Sequence, residues 1–243
     1  MGKYFSVTVK PTITASLQAG GTVAGGDVLY DWTEFNVPKG AVKLVGITAL
    51  VRGTNGARQE ASMDLYFAKD VDGIAPGNIG ALSATADGTG YQNHLIGAAH
   101  VNTADFKDGL DIMGVASTGH GAGGNQTPNM ILQGDPNSGT NVGYDRIYLS
   151  VVAKGSLDFR STVQVATETA TNTTAVVVKT TSAKTNFAAG DVLHDENDLV
   201  IGTIKTVTDA TNLVLEANCG AVSAVNKDLY NLTPVTFILS FEK

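Results

Sequence analysis

The fold is decided by two strand-like segments, RIYLSVV at residues 146–152 and VTFILSF at residues 235–241. Both are rich in β-branched and aromatic residues, a composition typical of buried β-strands. Between them lies an insert of about seventy residues, the length of a small domain, with turn and strand signals of its own. The sequence therefore predicts a sheet whose last strand returns after an inserted domain.

The glycine distribution marks the boundary of that insert. Of the 28 glycines, only three lie beyond residue 160. Such a change in composition indicates a change of domain. We predict a β-sandwich scaffold domain of residues 1–160 plus 233–243, and an inserted small β-domain of residues 161–232.

The scaffold segments have the pattern of antiparallel strands. Residues 5–10 alternate like a half-buried strand, residues 42–51 form the longest apolar run, and residues 62–68 follow a glycine-rich turn. Residues 102–109 are the best helix candidate and are only two turns long. These signals predict an all-β antiparallel sandwich.

The insert contains several short strand-like runs separated by Thr/Asn turn residues, which predicts a small barrel or sandwich. These runs are residues 161–165, 173–178, 187–193, 199–204, 205–208 and 212–215.

Charge and cysteine content exclude some classes of partner. The chain has 16 basic and 23 acidic residues, a net charge of −7, with no basic cluster, so we expect no nucleic-acid partner. Cys219 is the single cysteine and predicts no intrachain disulfide. We see no signal peptide and no apolar run of spanning length, so we expect a soluble, unexported chain with no membrane partner.

Two motif matches fail in their context. Residues 119–124 (GHGAGG) fit the dinucleotide pattern GxGxxG, but no helix follows, so we interpret them as a loop. Asp70, Asp72 and Gly73 have the spacing that starts a calcium loop, but Ala81 stands where a bidentate Glu is required. A tight turn between strands is the better interpretation, and weak cation binding is the alternative.

Other polar residues form no recognisable site either. The four histidines are scattered without metal-ligand spacing. An acidic cluster in the insert is interpreted as a solvated loop, or alternatively as a dock for a basic partner. Its members are Asp191, Asp195, Glu196 and Asp198. We predict no enzyme activity, no catalytic residue, no cofactor and no metal site.

The interface candidates come from a loop and from the chain ends. Residues 114–143 form a long segment rich in Gly, Asn and Pro, which we expect to be ordered by packing on neighbours. The ends are candidates for strand addition to a neighbouring sheet. The predicted interface residues are Tyr4, Phe5, His120, Asn125, Pro128 and Phe241.

The sequence of the Gly-, Thr- and Ala-rich strand segments resembles that of virion structural proteins of tailed phages, particularly marine or cyanophage-like ones. The phrases that carry this resemblance are ASTGHGAGGNQTP at 116–128, AGDVL at 189–193 and LVIGTI at 199–204. It extends over most of the chain but includes no catalytic or binding motif. In its size and its two-domain plan, the chain most resembles capsid decoration (cement) proteins, which brace the outer shell, often as trimers.

The resemblance implies a jelly-roll-like antiparallel β-sandwich with an inserted small β-barrel or sandwich domain. We expect a homo-oligomer, with a trimer favoured, that binds the major capsid protein on the virion surface after assembly in the host cytoplasm. One alternative is a tail, baseplate or fibre component that binds host-surface glycans. A free-standing carbohydrate-binding module and an enzyme with a site assembled from distant strands remain open as further alternatives.

Overall fold

The computed structural model describes residues 2–52, 57–107, 110, 112–118, 127–136, 144–179 and 183–243. The strands, in chain order, are β1 Tyr4–Val9, β2 Thr22–Val23, β3 Val28–Asn36, β4 Val42–Arg52, β5 Met63–Lys69, β6 Leu95–Val101, β7 Met113–Ser117, β8 Met130–Leu132, β9 Arg146–Ala153, β10 Leu157–Asp158, β11 Ala175–Val177, β12 Val192–Asp195, β13 Val200–Val207, β14 Asn212–Leu215, β15 Leu229–Asn231 and β16 Val235–Glu242. The α-helices are α1 Ala15–Ala19 and α2 Ala183–Asn186, and 3-10 turns form at Gln92–His94 and Thr103–Asp105.

Two large antiparallel sheets and a small two-stranded sheet of β2 and β10 form the scaffold, by which we mean residues 2–160 and 233–243. The first sheet has the order β1-β16-β4-β7, and β8 pairs with the start of β4. The second sheet has the order β3-β9-β5-β6. Most connections cross between the two sheets, but β5 and β6 stay together in the second sheet, and β7 and β8 stay together in the first. This is the strand order of an eight-stranded jelly roll, so the predicted fold class is confirmed.

Alternation along the strands builds the core between the two sheets. In β16, side chains are alternately buried and half-buried, and Phe237, Leu239 and Phe241 are wholly buried. They belong to a single apolar cluster with residues of β4, β5 and β9. Because side chains on a strand alternate between faces, the intervening residues point to the outside of the first sheet.

The insert, residues 161–232, has one open antiparallel sheet with the order β11-β14-β13-β12-β15. Gln164 forms an isolated bridge with Asp228, beside β15, and Val165 forms one with Val178, beside β11. The short segment 164–165 therefore pairs with residues next to both end strands of this sheet. The described strands form no closed barrel. The buried apolar side chains of the insert, from Val163 to Leu229, form a second cluster. None of them belongs to the apolar cluster between the two scaffold sheets, which we call the scaffold cluster. The domain boundaries themselves stay a prediction.

The structure corrects several predicted elements. Of the predicted helix 102–109, the structure describes residues 102–107, and these form only the 3-10 turn Thr103–Asp105, although Asn102 and Asp105 form a capping box. The helix ends there because Phe106 is buried and Lys107 N–H donates to Val115 O at 2.8 Å, so sheet pairing overrides local propensity. The predicted strands 199–204 and 205–208 are one continuous strand, β13 Val200–Val207, and residues 161–165 form only isolated bridges.

Candidate functional site: the outer face of the first sheet

The outer face is the set of outward side chains on β1, β16, β4 and β7. The strand registers place Thr8, Ile238, Thr48 and Ser117 in one row across the sheet. The neighbouring row is Thr236, Leu50 and Val115. Apart from the exposed Thr8, these side chains are half-buried, so apolar groups and hydroxyls share a broad surface that keeps contact with solvent.

A shallow groove crosses the outer face where β4 changes neighbour from β8 to β7. In this gap Thr118 replaces a strand partner, because its N–H donates to Ile47 O and its Oγ1 accepts from Ile47 N, both at 3.0 Å. Thr48 Oγ1 and Ser117 Oγ share a hydrogen bond of 3.0 Å on the groove wall. The groove is lined by hydroxyl residues, by the apolar Val45 and Ile47, and by Gly46. The hydroxyl residues are Thr48, Ser117, Thr118, Thr127 and Ser240.

The predicted interface residues occupy very different places. Tyr4 lies at the edge of the outer face with 73% of its surface exposed. Phe5 is half-buried and stacks on Phe241, with ring centroids 5.3 Å apart and planes 19° from parallel. Phe241 is wholly buried, since it stands on the inner face of β16. This corrects its predicted role, because its ring is part of the core and not available to a neighbour.

The predicted interface residues of the loop 114–143 are only partly described by the structure. Pro128 is half-buried just ahead of β8. His120 and Asn125 lie outside the described residues, as does the GxGxxG match at 119–124. Their predicted roles stay predictions.

The acidic cluster of the insert is not the solvated loop that was expected. Asp191 Oδ1 accepts from Arg52 Nη2 of the scaffold at 3.0 Å, and Asp198 Oδ1 accepts from Ala15 N–H at 2.6 Å. Burial raises the pKa of the Asp191 carboxyl, and Arg52 works against that rise. These carboxylates bind the insert to the scaffold. The sequence could not predict this role, because the bonded residues are far apart along the chain.

The remaining acidic residues of the cluster organise the insert itself. Asp195 is buried, and its carboxylate accepts from Ser223 Oγ at 2.9 Å and from Leu199 N–H at 3.2 Å. Glu196 pairs with Lys227 at 2.6 Å, and that hydrogen bond holds the pKa of the Glu196 carboxyl below its usual value. The cluster is therefore a set of structural acceptors.

His194 lies at the centre of the contact between insert and scaffold. Its side chain is wholly buried, and Nε2 faces Gln18 Nε2 at 3.4 Å. Gln18 Nε2 already donates to Ile13 O and Asn231 O, both at 2.8 Å, so both of its hydrogens are used. Burial lowers the pKa of His194, and the nearby Asp198 opposes that shift. The junction therefore favours a neutral imidazole.

The calcium-like segment forms a tight turn between bridged residues. Val71 and Ile74 exchange both main-chain hydrogen bonds at 3.0 Å, and Asp72 and Gly73 have φ of 52° and 78°. Two positive φ angles define the turn type that suits hairpins. Asp70 stands just before the turn, wholly buried and bonded elsewhere.

Asp70 is the centre of a buried polar network. Its carboxylate accepts from Arg146 Nε at 3.0 Å, from Arg146 Nη2 at 2.6 Å and from Tyr148 Oη at 2.8 Å. Burial and the bond to Asp70 raise the pKa of the Tyr148 hydroxyl. The network joins the turn to β9 and has a structural role that the sequence did not reveal.

Within the described ranges, no three His, Cys, Asp or Glu side chains gather as a metal site would require. Cys219 is buried, which raises the pKa of its thiol. Among the described helices, none is long and apolar enough to cross a membrane.

Comparison of the chain with protein-family models, with curated protein sequences and with solved structures finds no match. The candidate site therefore rests on geometry alone: a broad sheet face of mixed apolar and hydroxyl character.

Proposed function

We propose that this chain is a structural virion protein, a decoration protein that binds a phage head and stabilises its shell through protein–protein contacts. The observation that carries the proposal is the outer face of the first sheet. Leu50, Val115 and Ile238 are half-buried there, so each keeps apolar surface in contact with solvent. Interfaces bury such mixtures of apolar and neutral polar groups, and charged residues are depleted at their centres.

The architecture supports the same role. The jelly roll offers a rigid base, and the insert is held to it by the buried hydrogen bond from Gln18 Nε2 to Asn231 O and by the Arg52–Asp191 pair. A shell-binding protein needs a firm surface that can be repeated around a particle. The resemblance to tailed-phage structural proteins points to the major capsid protein as the partner and to the virion surface as the location.

The first test is quantitative mass spectrometry of virions purified from the source, which gives copies of this chain relative to the major shell protein. A whole-number ratio to the shell subunit supports a decoration role. A few copies per particle would move the protein to the tail, baseplate or fibre, and glycan binding would then become the leading function. Absence from the virion would overturn the proposal.

The second test addresses the outer face directly. Ile238→Gln removes a central apolar group of that face, and we expect about tenfold weaker binding to shells lacking this protein, or about 1.4 kcal/mol. The matched control is Ile74→Gln, since Ile74 is 68% exposed in the turn beside the second sheet. Equal binding of both variants and the unchanged protein would contradict the assigned face.

A further inference from the structure

Strand β1 has one main-chain edge that no described residue satisfies. Lys3 and Lys243 exchange both main-chain hydrogen bonds, at 3.0 and 2.9 Å, so alternate residues from Lys3 onward direct their N–H and C=O groups to β16. The residues that direct these groups away from β16 are Tyr4, Ser6 and Thr8. We call their outward N–H and C=O groups the free edge of β1.

The edges of two other end strands are covered. On β7, Val115 O accepts from Lys107 N–H at 2.8 Å, and on β15, Leu229 N–H donates to Val163 O at 2.8 Å. Strand β1 pairs with β16 alone. An uncovered edge without proline or charge inside the strand is a template for a further strand.

The inner face of β1 is also incomplete at this edge. Phe5 and Val7 pack against the core cluster yet remain only partly buried, whereas Val9 is 2% exposed. Their residual exposure arises because the first sheet ends at β1. A strand added beside β1 would cover both side chains and satisfy the free edge together.

We infer that the free edge of β1 binds the β1 strand of a second copy of this chain, antiparallel, about a two-fold axis at Ser6. In this register Ser6 faces Ser6 of the second copy, and Tyr4 faces Thr8. Every N–H and C=O group of the free edge gains a partner, and the two first sheets become one continuous sheet.

The side chains agree with this register. Residues with even numbers stay on the outer face and odd ones on the inner face, so Phe5 meets Val7 of the second copy over the core. Lys3 and Lys10, which flank the strand, project to opposite faces, so the two copies do not place like charges side by side. Pro11, which lacks an N–H, falls beyond the paired residues.

The self-pairing is independent of any virion function. A two-fold contact uses the same patch on both copies and closes at two chains. It therefore predicts a dimer in solution, whereas the resemblance favours a trimer. The solution mass of the free protein distinguishes the two without reference to a shell.

Light scattering coupled to size-exclusion chromatography tests the inference with the full chain. Ser6→Pro removes an outward N–H that β16 does not use, and proline is tolerated in edge strands. We expect the unchanged protein to have the mass of two chains and the Ser6→Pro protein that of one. The control Ser6→Ala keeps the N–H and should remain a dimer.

Three outcomes would overturn the inference: a monomeric unchanged protein, a trimeric one, or a Ser6→Pro protein that still forms dimers. If Ser6→Pro does not fold, amide hydrogen exchange of the unchanged protein decides. Protection of the Ser6 and Thr8 amides should then rise with protein concentration. Protection that does not change with concentration would exclude the pairing.

Discussion

His194 and Asp70 are two buried polar side chains that differ in how well hydrogen bonds compensate for their burial. Asp70 accepts three hydrogen bonds, two of them from a guanidinium. His194 faces an amide group without a free hydrogen, and its Nδ1 lies 3.4 Å from Asp198 Oδ1. A satisfied carboxylate stabilises its surroundings, whereas a weakly satisfied imidazole makes the junction sensitive to protonation.

Acidification is expected to weaken the fold through His194. Its pKa is lower in the folded protein than in the unfolded chain, so the folded state disfavours the proton. The free energy of unfolding should be unaffected by this group above about pH 6.5, and should fall as the pH drops below that value. Urea unfolding at a series of pH values measures the slope.

Two variants isolate that slope. His194→Gln removes the titrating group, so the fall in unfolding free energy between about pH 6.5 and 5 should become shallower. His100→Gln removes an exposed histidine and should keep the contribution of His194. An unchanged slope in the His194→Gln protein would show that other groups cause the pH dependence.

Substitution of Asp70 should destabilise the scaffold. Asp70→Asn removes the charge that binds Arg146 and leaves one of its donors without an acceptor, at a cost of about 2 kcal/mol. The matched control Asp72→Asn changes the neighbouring exposed carboxylate and should cost less than about 0.5 kcal/mol. Chemical denaturation of the three proteins checks the difference, and equal stabilities would contradict the network's role.

At the scale of elements, some strands can be predicted from the local sequence, whereas the position of others depends on contacts with distant segments of the chain. Strands β4, β9 and β16 lie where the apolar runs predicted them, and β14 matches residues 212–215. Strand β7 is short and contains Gly114, which sequence composition marked only as part of a polar loop. Its position depends on neighbours from distant parts of the chain.

Gly114 should not accept a side chain. A Cβ there would collide with the main-chain oxygen of Gln59 and would lie 2.9 Å from Phe106 Cε1. We expect Gly114→Ala to lower the free energy of unfolding by about 1–3 kcal/mol, because a main-chain oxygen cannot move aside without disturbing its segment. The measurement is thermal or urea unfolding.

Gly46→Ala is the control for that experiment. Gly46 lies in the neighbouring strand β4, where the nearest atom to an added Cβ is Ser240 Cβ at 3.4 Å. This variant should fold with nearly unchanged stability. Similar losses in both proteins would mean that glycine flexibility, and not the contact with Gln59, determines the effect.

At the scale of the whole molecule, the two largest apolar clusters are joined by a polar junction. The scaffold cluster is assembled from residues on both sides of the insert in sequence. The junction between the clusters uses Gln18, Arg52 and the insert's carboxylates. Since each cluster contains its own buried strands, each part has the means to fold around its own core.

Removal of the insert should therefore leave a folded scaffold. In this variant a short Gly/Ser linker joins Arg160 to Thr233. We expect a β-type circular dichroism spectrum and cooperative unfolding at a lower midpoint, because Gln18 and Arg52 lose their partners. The full-length Gln18→Ala protein measures the junction's share of that loss. A shortened chain that does not fold would contradict the predicted domain boundaries.

The sequence by itself determined the all-β class and the long strands, because alternation and β-branched composition act locally. The bounds 161–232 of the insert stay a prediction from the change in glycine content. Only the tertiary structure decided the jelly-roll order, the outer face and the junction. Phe241 is core and Tyr4 is surface although both lie in strands at chain ends, since register fixes which side each one takes. Likewise, Asp191 meets Arg52, 139 residues away, and no local pattern encodes that distance.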